Sequence, residues 1–111
     1  MARTSADQTL VVADLREQLP VTDAATTSRS LVDNERVRVV AFAFDEGEEL
    51  TEHTAAPPVV VQVLSGTLRF EVDGEQHRLA AGDCVYLPPH KPHSLVALEP
   101  SHMSLVMVRD A

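Results

Sequence analysis

An all-β fold is predicted for this 111-residue chain by three observations: short runs in which apolar and polar residues alternate, Gly, Pro, Asp and Asn between those runs, and almost no helical period. Residues 1–9 are polar and unpatterned, the start of an N-terminal arm. Within that arm, Asp14 to Leu19 sets Leu15 and Leu19 on one face behind a capping Asp14, and Pro20 stops the run, so one or two helical turns are expected. Residues 22–28 read as a linker, which makes 1–30 an arm and linker and 31–111 a single β domain.

Strands then follow at regular spacing. Ser30-Leu31-Val32 and Arg36 to Phe44 flank a turn at Asp33-Asn34-Glu35. In the longer run Val37, Val39, Ala41 and Ala43 share one phase, while the other begins charged at Arg36 and Arg38 and ends apolar at Val40, Phe42 and Phe44. A strand that is apolar on both sides must be covered on both, by the arm or by a second subunit, and a homodimer is expected. Val59 to Leu64 is nearly continuous in apolar residues, turns at Ser65-Gly66, and returns as Leu68, Phe70 and Val72. Asp73-Gly74 closes a tight hairpin onto Glu75 to Leu79, because Asp-Gly accepts the positive backbone angles of a two-residue turn. Cys84 to Leu87, a stiff Pro88 to Pro92 loop, His93 to Leu98 and His102 to Val108 complete a pattern that argues for a sandwich or barrel.

Composition narrows the function. Nine Lys plus Arg against 17 Asp plus Glu give a net charge of -8, and one Lys, Lys91, with scattered arginines forms no basic run, so no nucleic-acid partner is expected. No apolar run reaches the ~20 residues of a membrane helix, and the acidic first thirty residues do not read as a secretory signal; a cytoplasmic protein without a membrane partner is the expectation. Cys84, the one cysteine, has no disulfide partner and is expected to be a small buried hydrophobe. Neither a Gly-x-Ser-x-Gly elbow nor a glycine-rich phosphate loop occurs.

Two histidine-bearing segments, Gly47 to His53 and Gly82 to His93, carry the chemistry. Gly47, His53 and Gly66 in the first stretch, and Gly82, Pro88 and His93 in the second, fall in register with the two signature motifs of the cupin family, which the chain resembles over roughly residues 37–108. The resemblance implies a double-stranded β-helix, or jelly-roll barrel, behind the short arm. It also implies a cavity in which His53 and His93 occupy two of the metal-ligand positions. At the positions of the family's second histidine, its glutamate and its asparagine stand Ala55, Val59 and Ala97, and His90 replaces a glycine.

Because methyl and isopropyl groups donate nothing to a metal, the centre reads as degenerate, with no cofactor or a weakly held divalent iron, manganese, zinc or nickel ion. A third ligand would have to be Gln62, whose strand parity opposes the neighbouring valines so that only a bulge brings it inward, or Glu49, which shares parity with His53 if the strand extends that far back. The expected site is an apolar cup walled by Val59, Val61 and Val63, with His53 and His93 at its polar end and Tyr86 adding a hydroxyl if its ring turns inward. His77 and His90 read as surface, and His102 opens a strand whose Met103, Leu105 and Met107 alternate as core. The leading expectation is a small cupin that binds a small organic molecule. A dioxygenase- or isomerase-type enzyme with a metal on His53 and His93 is the second reading, and a non-catalytic sensor or accessory domain the third. Whether the protein is an enzyme stays open.

Overall fold

The computed structural model describes residues 3–109. A one-turn helix α1 (Leu15–Gln18) precedes nine strands: β1 (Thr26–Asp33), β2 (Val37–Phe44), β3 (Glu49–His53), β4 (Val59–Ser65), β5 (Thr67–Val72), β6 (Glu75–Ala80), β7 (Cys84–Leu87), β8 (His93–Ala97) and β9 (Ser101–Val108). They form two antiparallel sheets that face each other. The first is ordered β1-β2-β9-β4-β7 and the second β3-β8-β5-β6. No helix among the described residues is long and apolar enough to cross a membrane.

The core is what the alternation requires. From the first sheet Phe44, Val59, Val61, Val63, Leu87, Met103 and Leu105 point inward; from the second come Leu68, Phe70, Leu79, Leu95 and Ala97. Each large side chain so enclosed contributes about 1.5 to 3 kcal/mol, which sets the register of every strand, since a one-residue slip would turn the whole set outward. In β2 the even-numbered residues face this core. Its odd-numbered face is covered as well, because Ala41 and Ala43 are buried. The cover is the N-terminal arm: His102, directly opposite Ala43 in β9, donates from Nε2 to the Leu19 carbonyl at 2.7 Å while its Nδ1 accepts from the Ser65 hydroxyl at 2.9 Å. The ambiguous His102 of the sequence is thus a clasp between arm and sheet.

Three local expectations are corrected. β1 begins at Thr26, inside the segment read as linker, because Thr26, Thr27 and Ser28 pair with Phe44, Ala43 and Phe42 as an edge strand whose outer residues face water and show no apolar alternation. Asp14 does not cap α1 with its side chain; it adopts φ 54, and its carbonyl accepts the Glu17 and Gln18 amides at 3.0 Å. Cys84 is exposed rather than buried, since Leu87 takes the inward phase of β7 and leaves Cys84 outward, opposite Gln62.

The turns follow the sequence closely. Asp73 and Gly74 have φ 55 and 75, as the two-residue hairpin requires. Gly66, at φ +77, lies where a Cβ would sit 2.1 Å from Ser101 Oγ and 2.4 Å from the Pro100 carbonyl, so the β4–β5 turn and the entry to β9 close on each other only through glycine. His90, where the family has glycine, takes φ 62. Gly66→Ala is therefore expected to cost at least about 2 kcal/mol in urea unfolding. His90→Gly should raise stability by less than about 1 kcal/mol, because relief of the left-handed strain is partly offset by the added freedom of the unfolded chain.

Candidate functional site

Strand pairing assembles the site at one end of the sandwich. In the second sheet His53 of β3 lies directly opposite His93 of β8, which in turn lies opposite Val72 of β5. In the first sheet the corresponding row runs Arg38, Met107, Val59, Leu87 across β2, β9, β4 and β7. Directly paired residues project to the same side of a sheet, and Met107, Val59 and Leu87 all pack on the core, so both rows point into the space between the sheets. The Pro88–Pro92 loop joins Leu87 to His93 and ties the rows to the same end.

His53 comes to this place through an irregularity. Leu50 pairs with Leu95 but His53 with His93, so β3 carries one extra residue between them. That bulge turns His53 inward and leaves Glu49 in the outward phase opposite Val96. The rings of His53 and His93 are 4.2 Å apart, edge to face at 61°, and His93 stacks at 5.7 Å on the buried ring of Phe70. Phe70 carries no motif and was not among the predicted site residues, although its alternation with Leu68 had marked it as inward.

The hydrogen bonds fix the protons. His53 Nδ1 lies 2.8 Å from the Thr51 carbonyl and His93 Nδ1 lies 2.9 Å from the Lys91 carbonyl. A carbonyl can only accept, so each Nδ1 carries the hydrogen, and in the neutral ring each Nε2 is left with a bare lone pair. His93 is 4% exposed. Burial lowers its pKa from the ordinary 6.5, the Lys91 carbonyl bond works the other way, and the His53 ring adds a smaller lowering. The loops around the pair are tied: the His90 amide donates to the Ala55 carbonyl at 2.8 Å, and Lys91 bridges to Asp73 at 2.9 Å.

The other predicted site residues divide. Val59, Val61 and Val63 are 1%, 1% and 2% exposed and belong to the close-packed core, so they back the site rather than wall an open cup. Tyr86 is 63% exposed on the outer face of β7, opposite Val60, because Leu87 again takes the inward phase. Gln62 is exposed on that same outer face, as its parity dictated, and Glu49 is exposed on the outer face of the second sheet because of the bulge. Neither reaches the histidines. Ala55 packs against the core, and Val59 and Ala97 lie within it, so the family's remaining donor positions are filled with hydrocarbon.

Among the described residues no three His, Cys, Asp or Glu side chains are grouped to hold a metal ion. A catalytic metal calls for about three protein ligands, so the residues present do not fit one. What solvent does reach on the inner side is a set of half-buried core-facing residues, Phe42, Leu50, Ala55 and Met107, together with Arg38. They lie toward β2 and β3, and sequence reasoning had left them out; the signal available was the charged start of a strand phase that turns apolar.

A family model described as a cupin domain matches residues 34–109. Among solved structures, the conserved SPY1581 protein of unknown function from Streptococcus pyogenes is 29% identical, with 100% of this chain and 97% of that one covered and a TM-score of 0.84. An RmlC-like cupin from Shewanella frigidimarina is 27% identical over 85% of this chain and 86% of that one, with a TM-score of 0.74. A cupin superfamily protein from Desulfitobacterium hafniense, at 22% identity over 86% of this chain and 88% of that one, shares the fold with a TM-score of 0.82. No curated protein matches the chain.

The lowered His93 pKa has a consequence for stability. Because the folded value lies below 6.5, the unfolded chain takes up the proton first, so this group's contribution is complete above about pH 6.5 and is lost as the pH falls through the folded value. Asp33 and Asp45, held below 3.8 chiefly by the Arg109 hydrogen bond and the Ala24 amide respectively, act only at lower pH. Thermal melts should therefore show a decline as the pH falls below about 6.5 that His93→Gln flattens. An unchanged slope in the variant would assign the decline elsewhere.

Proposed function

Since the chain belongs to the cupin family, with a jelly-roll fold to match, we propose that it binds a small organic molecule at the histidine end of the sandwich, with His53 and His93 as the polar contact. The observation that carries this reading is the pair of bare Nε2 lone pairs on imidazoles 4.2 Å apart. Two such acceptors side by side suit a ligand that donates hydrogen bonds, such as a hydroxyl-bearing molecule, and the half-buried Phe42, Leu50 and Met107 offer it apolar surface.

Metal-dependent dioxygenase or isomerase chemistry is the weaker reading. Gln62 and Glu49 face outward, and two nitrogen donors alone hold a divalent ion loosely. Protein purified without a histidine tag should therefore carry well under one metal ion per chain by elemental analysis. Stoichiometric metal that survives dialysis would reverse the order of the two readings.

Native mass spectrometry of the purified protein tests the binding itself. The expected result is a small molecule that stays with the wild type. Its affinity should fall about three- to tenfold in His53→Ala, the loss of one hydrogen bond, while the melting temperature stays close to wild type because His53 is exposed. A large loss of stability with no change in ligand affinity would make the histidine a structural residue instead.

We also propose a homodimer. Tyr86 and Val108 expose apolar surface on the outer face of the first sheet, and Val11 of the arm is 84% exposed, a large apolar side chain left in water. Light scattering behind gel filtration at dilute concentration should give twice the chain mass of 12.1 kDa; a monomer overturns the proposal.

A further inference from the structure

Arg38 occupies an unusual position for a cation. It sits in the inward phase of β2, directly opposite Met107, in the row of the first sheet that lies at the same end of the sandwich as His53 and His93. The side chain is half-buried, and its Nε is fully enclosed without a hydrogen-bond partner among the described residues. The obvious partner is already taken. Asp33, the cross-strand neighbour of Arg38, accepts from Arg109 Nη1 and lies 3.8 Å from Arg3 Nε, so two other guanidiniums already hold that carboxylate and Arg38 acts on it only at longer range.

This corner is therefore cationic in a chain whose net charge is -8. Even with the exposed Glu35 counted against it, Arg3, Arg38 and Arg109 outnumber the local carboxylates. An open depression of about 780 Å³, lined by Arg3, Pro57, Pro58, Met107 and Arg109 among others, adjoins the Arg38 row through Met107. A guanidinium whose Nε is enclosed without a partner favours an anion at its remaining donors more strongly than one fully in water, because the lower surrounding polarity weakens screening.

We propose that Arg38 is the anion-binding group of this site, so that its ligand is a small hydroxylated carboxylate: the acid group on Arg38, a hydroxyl on the histidine pair. The inference rests on the small-molecule reading above and adds to it the charge of the ligand. The sheets of a sandwich stand about 10 Å apart, a span that a guanidinium on its long stem and two imidazoles on the facing sheet can share across a molecule of a few carbons.

Matched probes test it. Glycerate against glycerol, and gluconate against glucitol, differ within each pair only in the carboxylate. Calorimetric titration of the wild type should show the acid of at least one pair binding about tenfold or more tighter than its alcohol, the usual gain from a charge-assisted bidentate contact. Arg38→Met, which keeps the stem's packing, should erase that preference while melting at or above the wild-type temperature, and Arg38→Lys should keep part of it. If neither acid binds, if acid and alcohol bind alike, or if Arg38→Met retains the preference, the proposal is wrong. A destabilised Arg38→Met with an intact acid preference would assign the arginine a structural role. His53→Ala separates the two ideas: an acid preference that persists at full affinity refutes the histidine contact and leaves the arginine one standing.

Discussion

Between Leu50 and His53 strand β3 gains one residue on its partner β8, and most of the chemistry of this end of the molecule follows from that slip. With uninterrupted pairing, Leu50 opposite Leu95 would carry Glu52 inward and set His53 facing water. The bulge reverses the parity for the last residues of the strand only. The apolar register that buries Leu95 and Phe70 is kept, and an imidazole is delivered beside His93 at the rim. The same reversal removes Glu49 from contention as a ligand. One inserted residue thus chooses between a carboxylate and a second imidazole as the neighbour of His93.

The two sheets are unequal at this end. The second sheet supplies neutral acceptors whose protons are fixed by backbone carbonyls two residues away, a local arrangement that any inward histidine after a turn can make. The first sheet supplies hydrocarbon from Met107, Val59 and Leu87 and a single cation at its edge. Behind both lies a close-packed floor of valines and Phe70, which leaves the buried His93 ring little freedom to rotate. Tied loops, through the His90 amide on Ala55 and Lys91 on Asp73, hold the rim in the same way. The two Nδ1 hydrogen bonds orient both rings before anything binds.

Much of this was legible beforehand. Turn chemistry at Ser65-Gly66 and Asp73-Gly74 and the alternation of Leu68, Phe70 and Val72 located the central hairpins, since those residues obey local rules that tertiary packing reinforces. His53 and His93 were identified because the motif spacing holds although Ala55, Val59 and Ala97 stand at the other positions. What escaped was whatever depends on a neighbour in space. The bulge in β3 has no residue that marks it, so parity arguments misplaced Glu49. Thr26 to Ser28 look like linker because an edge strand need not alternate. Tyr86 and Cys84 could be oriented only once Leu87 was known to take the inward phase. Arg38 was visible as a charge in a phase that ends apolar, but only the pairing with Met107 shows that this phase faces the core.

Replacement of the family's donors by Ala55, Val59 and Ala97 changes the electrostatics of the cavity as well as its ligand count. A divalent ion brought to two neutral nitrogens beside a cationic guanidinium would meet repulsion from Arg38 and receive no carboxylate to offset its desolvation. An organic anion meets the opposite balance: Arg38 gains the partner it lacks, its acid group avoids the acidic outer surface, and any hydroxyl it carries can donate to nitrogens that have no proton of their own. On this reading the positive charge that meets the ligand belongs to Arg38, a residue of the chain.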